Sequence, residues 1–415
     1  MVGMRRRLMA VVVLAVVAPL ALSGCGDKQQ PAAAAGASAG PSDSASPGAS
    51  GPAPESATVP IELSVTPTAG KTGVPVSAEI GFKVTGAKVT SVTLTGSDGK
   101  AVPGALRDDG SSWVPGKTLK TKERYAASVV ATSDSGLTKT VRTTFTTMGA
   151  PGRKTGTGLY LFDNHTYGVG MPVVAEFNPG IKKADRAAVQ KRMFVQTDPP
   201  QPGVWSWTSS GTQAYYRAPQ FWQPGTKLTV RIAVGGVPTG GGRYGDRDRS
   251  ATAKIGRDFE MKVDNATKKM TVTQDGKVVR TALVSLGRPS KPSVSGTMVV
   301  MDKLTETVFD TTDTDGAAGY KTKIQYAQRI TWSGQYVHSA PWSVGAQGHR
   351  NVSHGCVNVS PSNAKWLFDK TLIGDPVIVT GTGSKLAYGD GWTAWNVSWP
   401  EFVKGSALPV PPSLK

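Results

Sequence analysis

Tyr336-Val337-His338-Ser339 and, beyond residues 340–352, Ser353-His354-Gly355-Cys356-Val357-Asn358 are the stretches on which the reading of this chain turns. The 415 residues hold two cysteines and four histidines, the latter at His165, His338, His349 and His354. Three of the four histidines therefore lie just upstream of Cys356. A thiol becomes a useful nucleophile when a base or a positive field favours the thiolate. An imidazole, with an ordinary pKa of about 6.5, takes and returns a proton near neutrality. In an extended backbone His354 and Cys356 would face the same side. Gly355 between them permits the close backbone approach that an oxyanion hole of N–H groups requires. The bland alternative for Cys356 is an inert buried thiol, but such cysteines seldom come flanked by histidine and glycine. A zinc site drawn from His338, His349 or His354 with Cys356 lacks a CxxC or HExxH pair and the usual ligand spacing. His349, in Gln347-Gly348-His349-Arg350, has no partner pattern and reads as a loop residue.

Around this motif the pattern is mainly β. Runs at Met270–Thr273 and Lys277–Val284 flank Gln274-Asp275-Gly276, a hairpin signal. One convincing helix begins after Ser360 with Pro361 at its first position, placing Ala364, Leu367 and Phe368 on one face. It stops before Gly374-Asp375-Pro376, after which Val377-Ile378-Val379 returns to strand. The tail carries Trp392, Trp395 and Trp399, enough aromatic surface to predict that residues 382–415 pack onto the domain at 251–381. Upstream, short alternating strands rich in Thr and Val, broken by turns such as Ser97-Asp98-Gly99, predict two immunoglobulin-like β-sandwiches at 58–148 and 149–250. Within the second, Gly240-Gly241-Gly242-Arg243 lacks the following helix and Lys-Ser/Thr pair of a phosphate loop and reads as a mobile surface connection.

The front of the chain is of another kind. Arg5, Arg6 and Arg7 precede an apolar run from Leu8 to Leu22, interrupted by Pro19 and short for a bilayer span. Residues 1–24 read as an export signal. Leu22-Ser23-Gly24-Cys25 resembles the lipobox of bacterial lipoproteins, which implies lipidation of Cys25 and a two-chain anchor in the cell membrane, facing the envelope. Residues 25–57 are an Ala/Gly/Ser/Pro linker that cannot bury enough apolar surface to order itself. With Cys25 lipidated, Cys356 is a single free thiol in an oxidising compartment and worth flagging as reactive. The net charge of +18 is spread along the chain, and export removes nucleic acid as a partner. Anionic envelope polymers and lipid head groups suit the charge better.

His338 followed by Ser-His-Gly-Cys-x-Asn at 353–358 resembles the signature of the L,D-transpeptidase catalytic domain, and the layout of lipobox, linker, two immunoglobulin-like domains, catalytic domain and Trp-rich extension resembles its actinobacterial members. The resemblance implies a peptidoglycan substrate, no cofactor and no metal. In such enzymes a thiol attacks the carbonyl of the third residue of a donor stem tetrapeptide, D-alanine leaves, and an acceptor stem's side-chain amine resolves the acyl-enzyme into a 3→3 cross-link. Mapped here, Cys356 is the nucleophile, His338 the base and then acid, and the Ser339 carbonyl orients the imidazole. The Gly355 and Cys356 N–H groups with the Tyr320 hydroxyl would hold the oxyanion. Ser353, His354 and Asn358 would shape the groove, Trp342 would sit at its mouth, and Met301 would line the pocket or belong to the core. β-Lactams of carbapenem type would be covalent inhibitors. The rival readings are a same-fold L,D-carboxypeptidase, an enzyme attaching envelope protein to the wall, and a wall-binding lipoprotein without activity.

Overall fold

Period-two burial builds the first domain. In Arg124–Thr132, Tyr125, Ala127, Val129 and Ala131 are buried while the alternate residues face outward. The structure is a computed structural model that describes residues 60–107, 110–310, 312, 319 and 321–415. The export signal, Cys25, the linker and Tyr320 lie outside the described residues. One sheet of the first sandwich runs in the order Glu62–Thr66, Ile80–Thr85, Ser112–Pro115, Gly104–Leu106. The other runs Lys71–Val74, Thr138–Thr147, Arg124–Thr132, Lys88–Gly96. Ile80, Leu94, Trp113, Tyr125 and Phe145 fill the space between them.

The second sandwich sets a six-stranded sheet, from Val204–Trp207 through Gln213–Arg217 and Val173–Asn178 to Pro238–Gly240, beside a four-stranded one ending in Met193–Asp198. Here alternation fails: every residue of Val204–Trp207 and Gln213–Arg217 is buried. A strand buried on both faces needs a cover on its outer side, and the C-terminal tail supplies it. Trp392, Ala394 and Phe402 belong to this sandwich's core. The Arg217 guanidinium lies 4.7, 5.1 and 4.4 Å from the rings of Trp395, Trp399 and Phe402, and donates to the carbonyls of Ala394 and Val397 at 2.9 Å each. The expected partner of the tail was the catalytic domain alone. That domain receives Leu386, the short strand Ser384–Lys385 and Asn396, whereas most of the rings go to the sandwich.

The glycine tract at 240–242 is the turn of a hairpin between Pro238–Gly240 and Arg243–Gly245. All three glycines have positive φ, and a Cβ on Gly240 would strike the Asp185 carboxylate at 2.1 Å. The acids that follow are anchored: Asp248 accepts from Arg231 at 2.9 Å and, across the joint between sandwiches, from Ser77 Oγ at 2.8 Å. Nearby Glu79 of the first sandwich is clasped by Arg107 and by Arg192 of the second.

The third domain carries the motif. Its six-stranded sheet runs Lys277–Leu283, Lys269–Gln274, Phe259–Asp264, Pro376–Thr380, Val294–Val299, Ser384–Lys385. A four-stranded sheet runs Asp302–Asp310, Lys321–Arg329, Tyr336–Ser339, Val357–Val359. Asp275 and Gly276, at φ 50° and 76°, make the expected hairpin turn. The helix Pro361–Lys370 starts at Ser360, whose hydroxyl accepts from Asn363 N at 3.4 Å. It buries Ala364 and Leu367 in the core shared with Val337, Val357 and Val359. The helix thus presses on the two short strands that hold the histidine and follow the cysteine.

Candidate active site

Parallel pairing of Tyr336–Ser339 with Val357–Val359 puts His338 opposite Asn358 and leaves Cys356 just before the second strand. His338, Asn358 and Cys356 are 3%, 2% and 8% exposed. Residues 354–356 form a bend, so His354 and Cys356 do not share the face of an extended strand as expected. Gly355 sits at φ 125°, where a side chain is strained, and a Cβ there would lie 3.2 Å from Gln335 Nε2. Side-chain hydroxyls lock the bend. Ser353 Oγ accepts from Gly355 N at 3.1 Å and donates to Cys356 O at 2.7 Å, while Ser293 Oγ donates to Gly355 O at 2.6 Å. The Gly355 N–H is therefore engaged with Ser353 and is not turned to a ligand, contrary to its expected place in an oxyanion hole.

The imidazole is held from behind. Its Nδ1 lies 2.8 Å from Ser339 O, and since a carbonyl has no proton to give, Nδ1 carries the hydrogen and Nε2 is bare. Phe309 and Trp342 flank the ring at 5.3 and 6.0 Å. Burial lowers the His338 pKa to about 4, against the pull of the Ser339 carbonyl and the Asn358 amide toward the charged form. Burial likewise pushes the Cys356 thiol up to about 12, opposed only by the Tyr336 backbone N–H. Cys356 Sγ lies 3.9 Å from Gly334 O. Burial thus favours the uncharged forms of both thiol and imidazole at neutral pH.

Cys356, His338, Asn358, Ser353 and His354 open on one cavity of about 780 Å³. Trp342, 58% exposed, stands at its rim. Met301 is elsewhere: it is buried in the second sandwich's core, with Sδ 3.2 Å from Trp392 N, because its strand end meets the tail. Tyr320 lies outside the described residues, whereas Asp310 and Thr322 border the cavity. Sequence reasoning missed Tyr336 and Phe309, which also line it. Tyr336 had a signal, since residues two apart on a strand share a face with His338. Phe309 arrives on a distant strand and had none. Among the described residues no group of three or more His, Cys, Asp or Glu could hold a metal ion.

Residues 258–379 match the family described as the L,D-transpeptidase catalytic domain, and residues 71–238 match the bacterial Ig domain. Over 351 residues the chain is 35% identical to L,D-transpeptidase 2 of Mycobacterium tuberculosis (strain CDC 1551 / Oshkosh), covering 83% of this chain and 85% of that relative. The chain belongs to the L,D-transpeptidase family. L,D-transpeptidase 5 of Mycobacterium tuberculosis (strain ATCC 25618 / H37Rv) is 34% identical over 82% of this chain and 75% of its own length. A solved L,D-transpeptidase in complex with imipenem is 33% identical, spanning 54% of this chain and 99% of that one at TM-score 0.47. This transpeptidase acts on peptidoglycan, as its family does. The catalytic match opens just before Phe259–Asp264 and closes inside Pro376–Thr380, so it takes in the whole four-stranded sheet whose strands line the cavity. The Ig match spans strands of both sandwiches.

Proposed function

We propose that Cys356 is the nucleophile and His338 the proton carrier of a reaction that joins two stem peptides in a 3→3 cross-link and releases D-alanine. The observation that carries this reading is one cavity holding a thiol and an imidazole whose Nδ1–H is committed to Ser339 O. With Nε2 bare and the ring neutral, the thiol proton has a base to go to at the moment of attack. Sulfur bonds to the carbonyl of the donor's third residue as His338 takes that proton. The C–N bond to D-alanine then breaks, and the imidazolium returns the proton to the leaving amine. An acceptor amine attacks the thioester and gives its proton to His338, and the freed sulfur takes it back. Neutral resting groups suit this sequence, since charge develops only along the reaction and in a site sheltered from water.

For the oxyanion, the Cys356 N–H and the Tyr320 hydroxyl are the proposed donors. Gly355 contributes its conformation, with its own N–H held by Ser353. Ser353, His354, Asn358 and Trp342 form the groove for the stem peptide. The same thiol is the proposed site of acylation by carbapenems. Lipidation of Cys25 would tether the enzyme to the outer face of the cell membrane, with residues 26–57 as the tether.

D-alanine release and 3→3 product from donor and acceptor stems test the reading. Cys356→Ala and His338→Ala are each expected to lose activity by several orders of magnitude while keeping the wild-type near-UV circular dichroism. Product above about a hundredth of wild type in Cys356→Ala would overturn the assignment.

A further inference from the structure

Behind the imidazole, hydrogen bonds fix the direction of one amide. Ser343 ends the 3-10 turn Pro341–Ser343 and is buried, with its Oγ donating to Ala340 O at 3.0 Å. A hydroxyl has one proton, so with that proton committed its oxygen can only accept. Two amides donate to it: Asn358 Nδ2 at 3.2 Å and Gln347 Nε2 at 3.1 Å. With Asn358 Nδ2 donating to Ser343, Asn358 Oδ1 points away from Ser343, and there it is a buried acceptor without a hydrogen-bond partner among the described residues. Asn358 stands in register with His338, and its amide is the side chain that favours the charged ring. An orphaned buried acceptor is costly and calls for an explanation. Facing a neutral ring whose only proton goes to Ser339 O, it has nothing to accept. Facing an imidazolium, it does.

We propose that Ser343 is a positioning residue for transpeptidation: by holding Asn358 Nδ2 it aims Asn358 Oδ1 at His338, as an acceptor unpaired in the resting enzyme and filled by the imidazolium N–H once the Cys356 proton has moved. An interaction made only after proton transfer stabilises the step and not the ground state, so it raises turnover without tightening substrate binding. Ser343 and Gln347 do not line the cavity, and they act through Asn358. Among the described residues, the titratable groups that share the cavity with the ring are Cys356, His354, Tyr336, Asp310 and Lys291.

The inference rests on His338 being the proton carrier, and the test separates the two. On the full chain, acylation by donor stem peptide is followed from pH 3 to 8 (about the range over which a histidine titrates). Asn358→Ala and Ser343→Ala should each lower the maximal rate about ten- to a hundred-fold, the range for a hydrogen bond to a charged group. Both should move the acid limb to lower pH, and Ser343→Ala should leave KM unchanged. Asn358→Asp, which sets a carboxylate in the same place, should move the limb upward. Ser343→Thr, which keeps the hydroxyl, should restore the profile, and Ser343→Ala added to Asn358→Ala should cost nothing more. A measurement on the wild type needs no variant: in acid, the His338 Nε2–H should be seen by NMR as slowly exchanging with solvent. Unshifted profiles in Ser343→Ala and Asn358→Ala with an inactive His338→Ala, or a fast-exchanging Nε2–H, overturn the inference alone. An active His338→Ala overturns the reading beneath it.

Discussion

At the scale of single residues, the site is defined by two groups that burial keeps uncharged. With burial raising the thiol to about 12, little of it is thiolate at pH 7. Iodoacetamide should therefore label Cys356 far more slowly than an exposed cysteine in a peptide, although in the proposed reaction the same thiol is acylated by a bound stem peptide. Rapid alkylation at neutral pH would contradict the proposed resting state. The imidazole sets the acid side. Its folded-state pKa, about 4, lies below the ordinary value, so it stays a competent base as pH falls and loses that role only near 4. The acid limb of acylation should accordingly lie near pH 4, well below 6.5. The thiol, the histidine and the Ser339 carbonyl that orients it were legible from the motif, because the chemistry needs those groups close along two short strands. Met301 was not, since nothing local tells a residue near a pocket from one at a domain joint. Met301→Ala should cost about 2–5 kcal/mol of stability with the reaction chemistry intact, because Met301 belongs to the second sandwich's core and meets the backbone of Trp392. A thermal midpoint set beside the acylation rate checks this.

Among elements, the joint between the sandwiches holds an acid-sensitive carboxylate. Burial raises the Glu79 carboxyl, but hydrogen bonds from Arg107, the charge of Arg192 and Ser112 overcome it and hold the pKa at about 2. A carboxylate with a lowered folded-state pKa adds stability above its unfolded value, and that stability is lost as pH falls from about 4.5 toward 2. Glu79→Gln should flatten this dependence and lower the midpoint at pH 7. A midpoint that varies with pH in that window as in wild type would show that the clasp contributes nothing. Hairpin and helix elements were readable because Asp275-Gly276 and Ser360-Pro361 carry their own turn and cap chemistry. The covered strands Val204–Trp207 and Gln213–Arg217 were readable as strands, but their second buried face was not. It depends on a tail nearly two hundred positions further on.

On the scale of the whole molecule, the tail couples the second sandwich to the catalytic domain, while the first sandwich docks through a polar clasp. A chain beginning near Gly149 should keep an acylation rate close to that of the full protein, because domain interfaces of polar character contribute little to a neighbour's core. Ending the chain after Thr380 should be far more damaging. It strips Trp392 and Phe402 from the second sandwich's core, at on the order of 3–5 kcal/mol for each ring. It also removes Leu386 and Asn396 from the catalytic sheet. Comparing the thermal midpoints of the two truncations decides between these expectations. In the proposed reaction a single thiol carries the acyl group. The most direct test is intact mass and peptide mapping of the protein after incubation with a carbapenem, for wild type and Cys356→Ala side by side. One adduct on the peptide containing Cys356, absent from the variant, is the predicted result. An adduct that persists in Cys356→Ala, or none on the folded wild type, would contradict it.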